Sequence, residues 1–399
     1  MIFRRVEISV KKKFACFLAA VLCLIACGCS NKSVDVGSSG EDDLQPYWNM
    51  FNQPVAAAEN GYYYIYRRNV QDSVHMKDLI AYMDGETKST TILCNKPECR
   101  HEDESCDAAL GDEYNNQSIY YYKGYIYVIK DDESDGNSYL VQIKPDGSER
   151  KTLFELGTIS IAYKLAFGGD SVYCYNRVGG YGVDETQETV RRRSLDGKED
   201  DIIFSYTAKG AQVSAVKLYG NKAFILVTSW TKNDNSADIS AHGKGVYIYD
   251  TDTKKTELFI DKSISDFTVD EKEGNIYYFV IDDGLYERKL STGSSTKLLD
   301  CEDRVNNYCE LSYDGQYLYM CNEMYKNMIY KTDSYVWVLE KNGEIVNKIE
   351  TAGTYCTFFG DDKYIFGTDM DNEILIISKA EIGKAKEWEK LKNPLILEN

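Results

Sequence analysis

Three cysteines and one histidine lie close together in the first third of the chain, and their residue types suit metal coordination. Cys94, Cys99, His101 and Cys106 follow the spacing C-x4-C-x-H-x4-C. Thiolates combined with an imidazole are ligands that tetrahedral Zn²⁺ prefers. Pro97 restricts the backbone between the first two cysteines. Because four protein ligands fill a tetrahedral shell, a zinc ion here would be structural and would leave no position for a substrate.

The same thiols allow two other chemical states. Exported proteins fold in an oxidising compartment, where a Cys94–Cys99 or Cys99–Cys106 disulfide would leave one thiol over. Fully reduced thiols are the third state. The spacing alone leaves metal site, disulfide and free thiols open.

The remaining cysteines give weaker signals. Cys174 and Cys321 lie in apolar strand patterns, which predicts buried free thiols. Cys301 and Cys309 are close enough in sequence to close a small disulfide loop. Cys356 has no such partner nearby in the sequence.

Residues for catalysis are few. The sequence contains no G-x-S-x-G, H-E-x-x-H, G-x-G-x-x-G or P-loop motif. The other two histidines, His75 and His242, stand in polar segments without a recognisable nucleophile. The segment from Ser229 to Lys244 is the longest polar stretch, and we expect it to be a loop over one face of the fold. The sequence therefore favours a non-catalytic role over an enzymatic one.

The N-terminus has the layout of an export signal. Basic residues (Arg4, Arg5 and residues 11–13) precede the apolar stretch 14–26, which is too short to span a bilayer as a helix. The sequence Leu24-Ile25-Ala26-Cys27 resembles the bacterial lipobox. That resemblance implies a signal peptide of residues 1–26, cleaved before a lipid-modified Cys27, with Cys29 as the alternative lipidation site.

The residues after Cys27 predict a flexible tether and an acidic domain. Residues 27–43 are rich in Ser, Gly and acidic residues and lack large apolar side chains except for valine. Without residues 1–26 the chain has 41 basic and 63 acidic residues, a formal charge of −22. Such a charge repels nucleic acid, which we exclude as a partner, and it favours a soluble, monomeric domain.

A module of short strands recurs seven times between residues 44 and 399. Each copy starts with a turn and an alternating Tyr/Ile/Val strand, and continues with a hairpin whose tip often carries Asp-Gly, Thr-Gly or Asn-Gly. The first interval is lengthened by a cysteine-rich insert, residues 94–110. A period in the forties with three or four short strands is typical of a propeller blade. The seven turns are Asn60-Gly61, Lys123-Gly124, Gly169-Asp170, Gly220-Asn221, Gly274-Asn275, Asp314-Gly315 and Asp361-Asp362.

The fold class predicted is all-β, a seven-bladed β-propeller following a lipoprotein signal peptide. The module resembles the tricorn/TolB-like and low-density-lipoprotein-receptor-like propellers, and especially Firmicute lipoproteins in which a similar Cys/Pro/Cys/His/Cys stretch follows the first blade. The YWTD tetrapeptide of the receptor propellers is absent. By this resemblance the ring is closed by strands from both chain ends. The last blade looks one strand short in the sequence, which predicts that Leu44–Gln53 supplies the missing strand and that Glu387–Leu391 instead forms a short helical tail.

These features together predict a lipid-anchored protein on the outer face of the cell membrane. Its expected role is non-catalytic binding or scaffolding, with a peptide, a glycan or a partner protein held on one face of the ring. The alternative is an extracellular propeller enzyme, a lyase or hydrolase, acting on a polymer such as a glycan. A structural zinc is the one cofactor that the sequence suggests.

Overall fold

The chain is built almost entirely of β-strands. The computed structural model shows seven antiparallel sheets, one after another along the sequence, and the described residues include a short 3-10 turn at Lys379–Glu381. No helix among the described residues has the length and apolarity needed to cross a bilayer. The described residues are 33–35, 53–68, 77–114, 118–160, 163–176, 185–232, 239–300, 309–321, 335–350, 359–369 and 373–395.

Each sheet is one blade, and its strands follow the chain in simple up-and-down order. Blade 1 contains β1 (Val55–Ala58), β2 (Gly61–Arg68), β3 (Lys77–Asp84), β4 (Thr90–Ile92) and β5 (Ala109–Leu110). Blade 2 contains β6 (Tyr120–Tyr122), β7 (Tyr125–Asp132), β8 (Asn137–Ile143) and β9 (Arg150–Thr158). Blade 3 contains β10 (Tyr163–Gly168), β11 (Ser171–Asn176), β12 (Glu185–Ser194) and β13 (Asp200–Lys209).

The other four blades have the same order. Blade 4 contains β14 (Ala211–Tyr219), β15 (Lys222–Lys232), β16 (Ile239–Asp250) and β17 (Lys255–Ile260). Blade 5 contains β18 (Ile264–Asp270), β19 (Asn275–Val280), β20 (Gly284–Lys289) and β21 (Ser295–Asp300). Blade 6 contains β22 (Glu310–Tyr313), β23 (Leu318–Cys321), β24 (Tyr335–Leu339) and β25 (Ile345–Glu350). Blade 7 contains β26 (Phe359–Gly360), β27 (Tyr364–Thr368), β28 (Ile374–Ser378) and β29 (Glu389–Lys390).

The apolar faces of the blades are buried against their neighbours. One cluster of buried side chains lies at each of the seven seams between adjacent blades. At the seam of blades 4 and 5, for example, Phe224 packs in one cluster with Phe267 and Ile276. Each large apolar side chain buried in this way contributes about 1.5–3 kcal/mol. The seven-bladed propeller predicted from the repeat is confirmed.

The ring closes by side-chain packing between blade 7 and blade 1. The Tyr62 ring lies 4.7 Å from the ring of Phe366 and 5.9 Å from that of Tyr364. The Tyr364 hydroxyl donates to Gly85 O at 3.2 Å. The fourth strand of blade 7 is β29, so the prediction of a helical tail at 387–391 is wrong. The proposed closing strand, Leu44–Gln53, lies outside the described residues except for Gln53, which pairs with Ser118 of blade 2.

The two faces of the ring carry different connections. First strands of neighbouring blades contact one another at several seams, as β1 does with β6, β14 with β10, and β18 with both β14 and β22. We call the face with the first-to-second and third-to-fourth strand connections the turn face, and the opposite face the loop face. Several turn-face connections are two-residue turns. Lys123 and Gly124 have φ angles of 46° and 77°, as a type I′ hairpin turn requires.

Candidate metal centre

The cysteine-rich segment interrupts the outermost strand of blade 1. β3 pairs with β4 through Ala81–Met83 and with β5 through Asp78–Leu79. The intervening residues 93–108 leave the sheet edge and return to it. The predicted insert, 94–110, overlaps this segment, and its last two residues, Ala109–Leu110, form β5.

All four predicted ligands come together in this loop. The sulfur atoms of Cys94, Cys99 and Cys106 and a ring nitrogen of His101 all lie within 4.8 Å of one another. His101 Nδ1 lies 3.2 Å from Cys106 Sγ. Tetrahedral zinc with Zn–S bonds of about 2.3 Å and Zn–N bonds of about 2.0 Å needs ligand atoms about 3.5–3.8 Å apart. The cluster could hold a metal ion with small side-chain adjustments.

Local turns fold the loop around this point. Cys99 N donates to Lys96 O at 3.3 Å, and Cys106 N donates to Asp103 O at 3.1 Å. His101 has a φ angle of 56°, a left-handed conformation that costs free energy in a residue other than glycine. The Lys96 ammonium pairs with the Asp107 carboxylate at 2.9 Å and joins the two ends of the loop.

The thiols have unequal acidity. Burial raises the pKa of Cys94, but the backbone N–H groups of Lys96 and Asp107 outweigh it and lower the pKa overall. Burial raises the pKa of Cys106 to about 12, although the Ala108 backbone N–H opposes this. A bound Zn²⁺ stabilises thiolates strongly and would deprotonate such a buried thiol. Without such an ion, burial keeps Cys106 as an uncharged thiol at neutral pH.

The loop is also packed against the blades. Cys106 is buried in a cluster with Leu79, Ala108 and Ala109. Arg150 of blade 2 donates to Asp107 O, and its guanidinium lies over the Tyr114 ring at 5.3 Å. The candidate metal centre thus sits at the outer rim, at the seam of blades 1 and 2.

The other residues that the sequence suggested for a functional site do not lie together. His242 is exposed on β16, and its strand neighbour across the hairpin is Ser229, which is buried. The prediction that Ser229–Lys244 is a loop is wrong for most of its length, because β15 and β16 extend to Lys232 and back from Ile239. His75 lies outside the described residues.

The cysteine predictions outside the loop have mixed outcomes. Cys174 and Cys321 are buried, as predicted, and Cys174 is a free thiol. Cys309 is buried, and its thiol donates to Glu310 O at 3.2 Å. Cys27, Cys29, Cys301 and Cys356 lie outside the described residues, so lipidation and the Cys301–Cys309 disulfide stay predictions.

A cleft at the closing seam was not predicted from the sequence. It has a volume of about 280 Å³ and is formed by the ends of β2, β28 and β29. Within the described residues, Arg67 makes no ion pair, whereas Lys390 pairs with Asp369 at 3.2 Å and also with Glu373. The two sides lie some 300 positions apart in sequence, so no local pattern signals the cleft. Its lining consists of Tyr64, Ile65, Tyr66, Arg67, Glu373, Ile374, Lys390, Leu391, Lys392 and Asn393.

Comparison with known proteins identifies the fold and nothing narrower. No protein-family model and no curated protein sequence matches the chain. Among solved structures, the tricorn protease aligns with a TM-score of 0.53 and 10% identity over 89% of this chain and 35% of its own. An acylaminoacyl peptidase from Pyrococcus horikoshii aligns with a TM-score of 0.51 and 11% identity, over 87% and 52% of the two chains.

A puromycin hydrolase gives a similar match, with a TM-score of 0.50 and 11% identity over 91% of this chain and 57% of its own. The chain therefore spans between a third and three fifths of these three proteins. At such low identity the likeness supports the β-propeller fold alone. The chemistry in their names belongs to those proteins.

Proposed function

We propose that this protein is a lipid-anchored, non-catalytic binding propeller that holds a peptide, a glycan or a partner protein on its loop face. The observation that carries the proposal is the inequality of the two faces. Long connections on a rigid scaffold are where binding residues concentrate. Strands whose consecutive ends lie on the loop face are separated by more residues in the sequence, with eight between β2 and β3, eight between β11 and β12 and thirteen between β23 and β24.

The turn face offers less surface for binding a ligand. Its first-to-second strand connections include 59–60, 123–124, 169–170 and 220–221, and its one long connection is 379–388 in the last blade. Short turns leave little surface that could be shaped around a ligand. The comparison of the two faces therefore favours the loop face as the binding face.

The seam cleft supplies a specific place on that face. β2 and the residue before β28 reach the cleft at their loop-face ends, and the Tyr64, Tyr66 and Leu391 side chains give it apolar walls. Arg67 presents a guanidinium without an ion pair among the described residues, in a chain whose formal charge is −18. A planar guanidinium suits bidentate binding of carboxylate or phosphate. We infer a ligand that carries an acidic group.

The metal centre has a supporting role in this proposal. Zn²⁺ held by Cys94, Cys99, His101 and Cys106 would tie the two halves of the outer strand of blade 1 together. A closed four-ligand shell leaves no coordination position for a substrate, so we assign the ion a structural and not a catalytic function.

The proposed location at the cell membrane is inferred from the N-terminal signal peptide and not from the fold. Basic residues, an apolar stretch and Cys27 match the pattern of Firmicute-type lipoproteins, and two or three acyl chains hold a protein stably at a membrane. The acidic ring would then stand outside the cell membrane, available to extracellular peptides, glycans or proteins.

The direct experiment is a combined binding and turnover screen. The chain without its leader, residues 30–399, is applied to glycan and peptide arrays that include acidic members, and each bound ligand is then analysed by mass spectrometry. We expect saturable binding with the ligand mass unchanged. Cleavage of a polymer by the purified protein would contradict the non-catalytic function and support the propeller-enzyme alternative.

A further inference from the structure

A short piece of the tether contacts the ring on a defined face. Val34 N donates a hydrogen bond to Leu290 O at 2.7 Å. The Val34 side chain packs against the buried cluster at the seam of blades 4 and 5, which includes Leu290. Leu290 directly follows β20, the third strand of blade 5, and therefore lies on the turn face.

The distance from this contact to the predicted lipid is short. Cys27 precedes Val34 by seven residues. An extended chain spans at most about 3.6 Å per residue, so the Cys27 sulfur lies within about 25 Å of Val34, or Cys29 within about 18 Å. Since the acyl chains must enter the bilayer, the Val34 contact holds this part of the turn face near the membrane.

The height of blade 4, which carries the long β15–β16 hairpin, argues against the opposite orientation. β15 in blade 4, Lys222–Lys232, runs from the turn face to the loop face. At about 3.3 Å per residue it is about 33 Å long. If the loop face lay against the membrane with Val34 docked, the tether would have to cover this height, which exceeds its reach.

We propose that the turn face of this propeller faces the membrane and the loop face points away from it. This orientation rests on the proposed lipid anchor at Cys27 or Cys29. It directs the long connections and the seam cleft toward extracellular ligands, and it leaves the short turns on the membrane side.

Lysines on the two faces of the same blades allow a direct test. Lys198 and Lys254 lie in third-to-fourth strand turns on the turn face, and Lys209 and Lys262 lie at fourth-to-first connections on the loop face. All four are exposed. The lipidated protein is reconstituted in vesicles whose lipid headgroups carry an amine-reactive ester on a short spacer. Acylation at each lysine is read by mass spectrometry and divided by its acylation by a soluble ester.

We expect the normalised acylation of Lys198 and Lys254 to exceed that of Lys209 and Lys262 at least threefold. Equal values or the inverse ratio would overturn the orientation. V34D should bring the ratio close to one, whereas S33D, which adds the same charge at an exposed neighbour, should preserve it.

If V34D leaves the acylation ratio unchanged, the Val34 contact does not determine the orientation of the ring. Flotation of the vesicles keeps the two proposals separate. Protein that fails to float with the vesicles contradicts the lipid anchor, whereas protein that floats with an inverse ratio contradicts the orientation alone.

Discussion

Tyr62 and Asp361 stand 299 positions apart in the chain and meet across the seam of blades 1 and 7, where the Tyr62 hydroxyl donates to the Asp361 carboxylate. The backbone N–H groups of Lys363 and Tyr364 donate to the same carboxylate at 2.8 and 2.9 Å and fix its position. Burial, and then the Asp361 charge, raise the pKa of Tyr62 far above its usual range, so the phenol stays a donor. Ring closure thus includes a charge-assisted hydrogen bond.

The first prediction concerns this hydrogen bond. Y62F keeps the ring but removes the donor at a buried seam. Hydrogen bonds to charged groups contribute about 1.5–3 kcal/mol, so we expect the free energy of unfolding in urea to fall by about that amount. The matched control is Y139F, which removes a surface hydrogen bond from Tyr139 to Asp135 within blade 2. Surface changes usually stay within about 0.5 kcal/mol, and equal losses for both variants would contradict a special role of the closing seam.

The second prediction concerns the metal centre. We expect purified wild-type protein to contain about one zinc per chain, and C99S to lose it, because three ligands bind the ion more weakly than four. Free zinc at about a thousand times its Kd stabilises the folded state by about 4 kcal/mol. Removing the zinc with a chelator should therefore lower the melting temperature of the wild-type protein. Elemental mass spectrometry and thermal unfolding measure both effects.

The control for the metal prediction is C174A. Cys174 is buried in blade 3, away from the loop, so this variant should retain its zinc. Wild-type protein that contains no zinc and carries a disulfide between two of the three loop cysteines would refute the metal site.

The third prediction uses Glu271 on the turn face. Burial, and then the neighbouring Asp270 charge, raise the pKa of Glu271 to about 8. In the unfolded chain a glutamate titrates near pH 4.3. Between these values the folded state holds a proton that the unfolded state has lost, so stability falls as pH rises, by at most about 1.4 kcal/mol per pH unit.

Replacing the carboxyl with an amide removes this dependence. E271Q should match wild type near pH 4 and exceed it in stability at pH 8, measured by urea unfolding at both values. E86Q, at an exposed turn of blade 1, serves as the control and should change neither value by more than about 0.5 kcal/mol. A stability difference between E271Q and wild type that is the same at both pH values would disprove the raised pKa.

The blades were predictable because their signals are local. Turns such as Lys123-Gly124 require positive φ angles, and the strands that follow them alternate or repeat apolar residues. The clustering of Cys94, Cys99, His101 and Cys106 was predictable for the same reason, since they lie within one loop. The failed prediction also rested on a local pattern. Polar residues between Ser229 and Lys244 indicated a loop, but β15 and β16 stay paired through this part of the chain as far as Lys232 and Ile239.

The ring closure and the cleft depend on contacts distant in sequence. Tyr62 meets Asp361, and Arg67 faces Lys390 across the cleft, only because seven blades complete a circle. The number and tilt of all the blades determine which ends meet, and no pattern within one blade encodes that. The contact of Val34 with Leu290 is likewise invisible in the sequence, where Val34 is one small apolar residue in a polar tether.

The central claim is that the loop face binds the ligand, and a calorimetric titration tests it most directly. The strongest ligand from the arrays is titrated against wild type, R67E in the loop-face cleft and K254E on the turn face, two variants with the same change of charge. We predict that R67E raises the Kd at least tenfold, which corresponds to a loss of about 1.4 kcal/mol of binding free energy. K254E should leave the Kd within twofold of the wild-type value. Weakening by K254E with an unchanged Kd for R67E would contradict the claim.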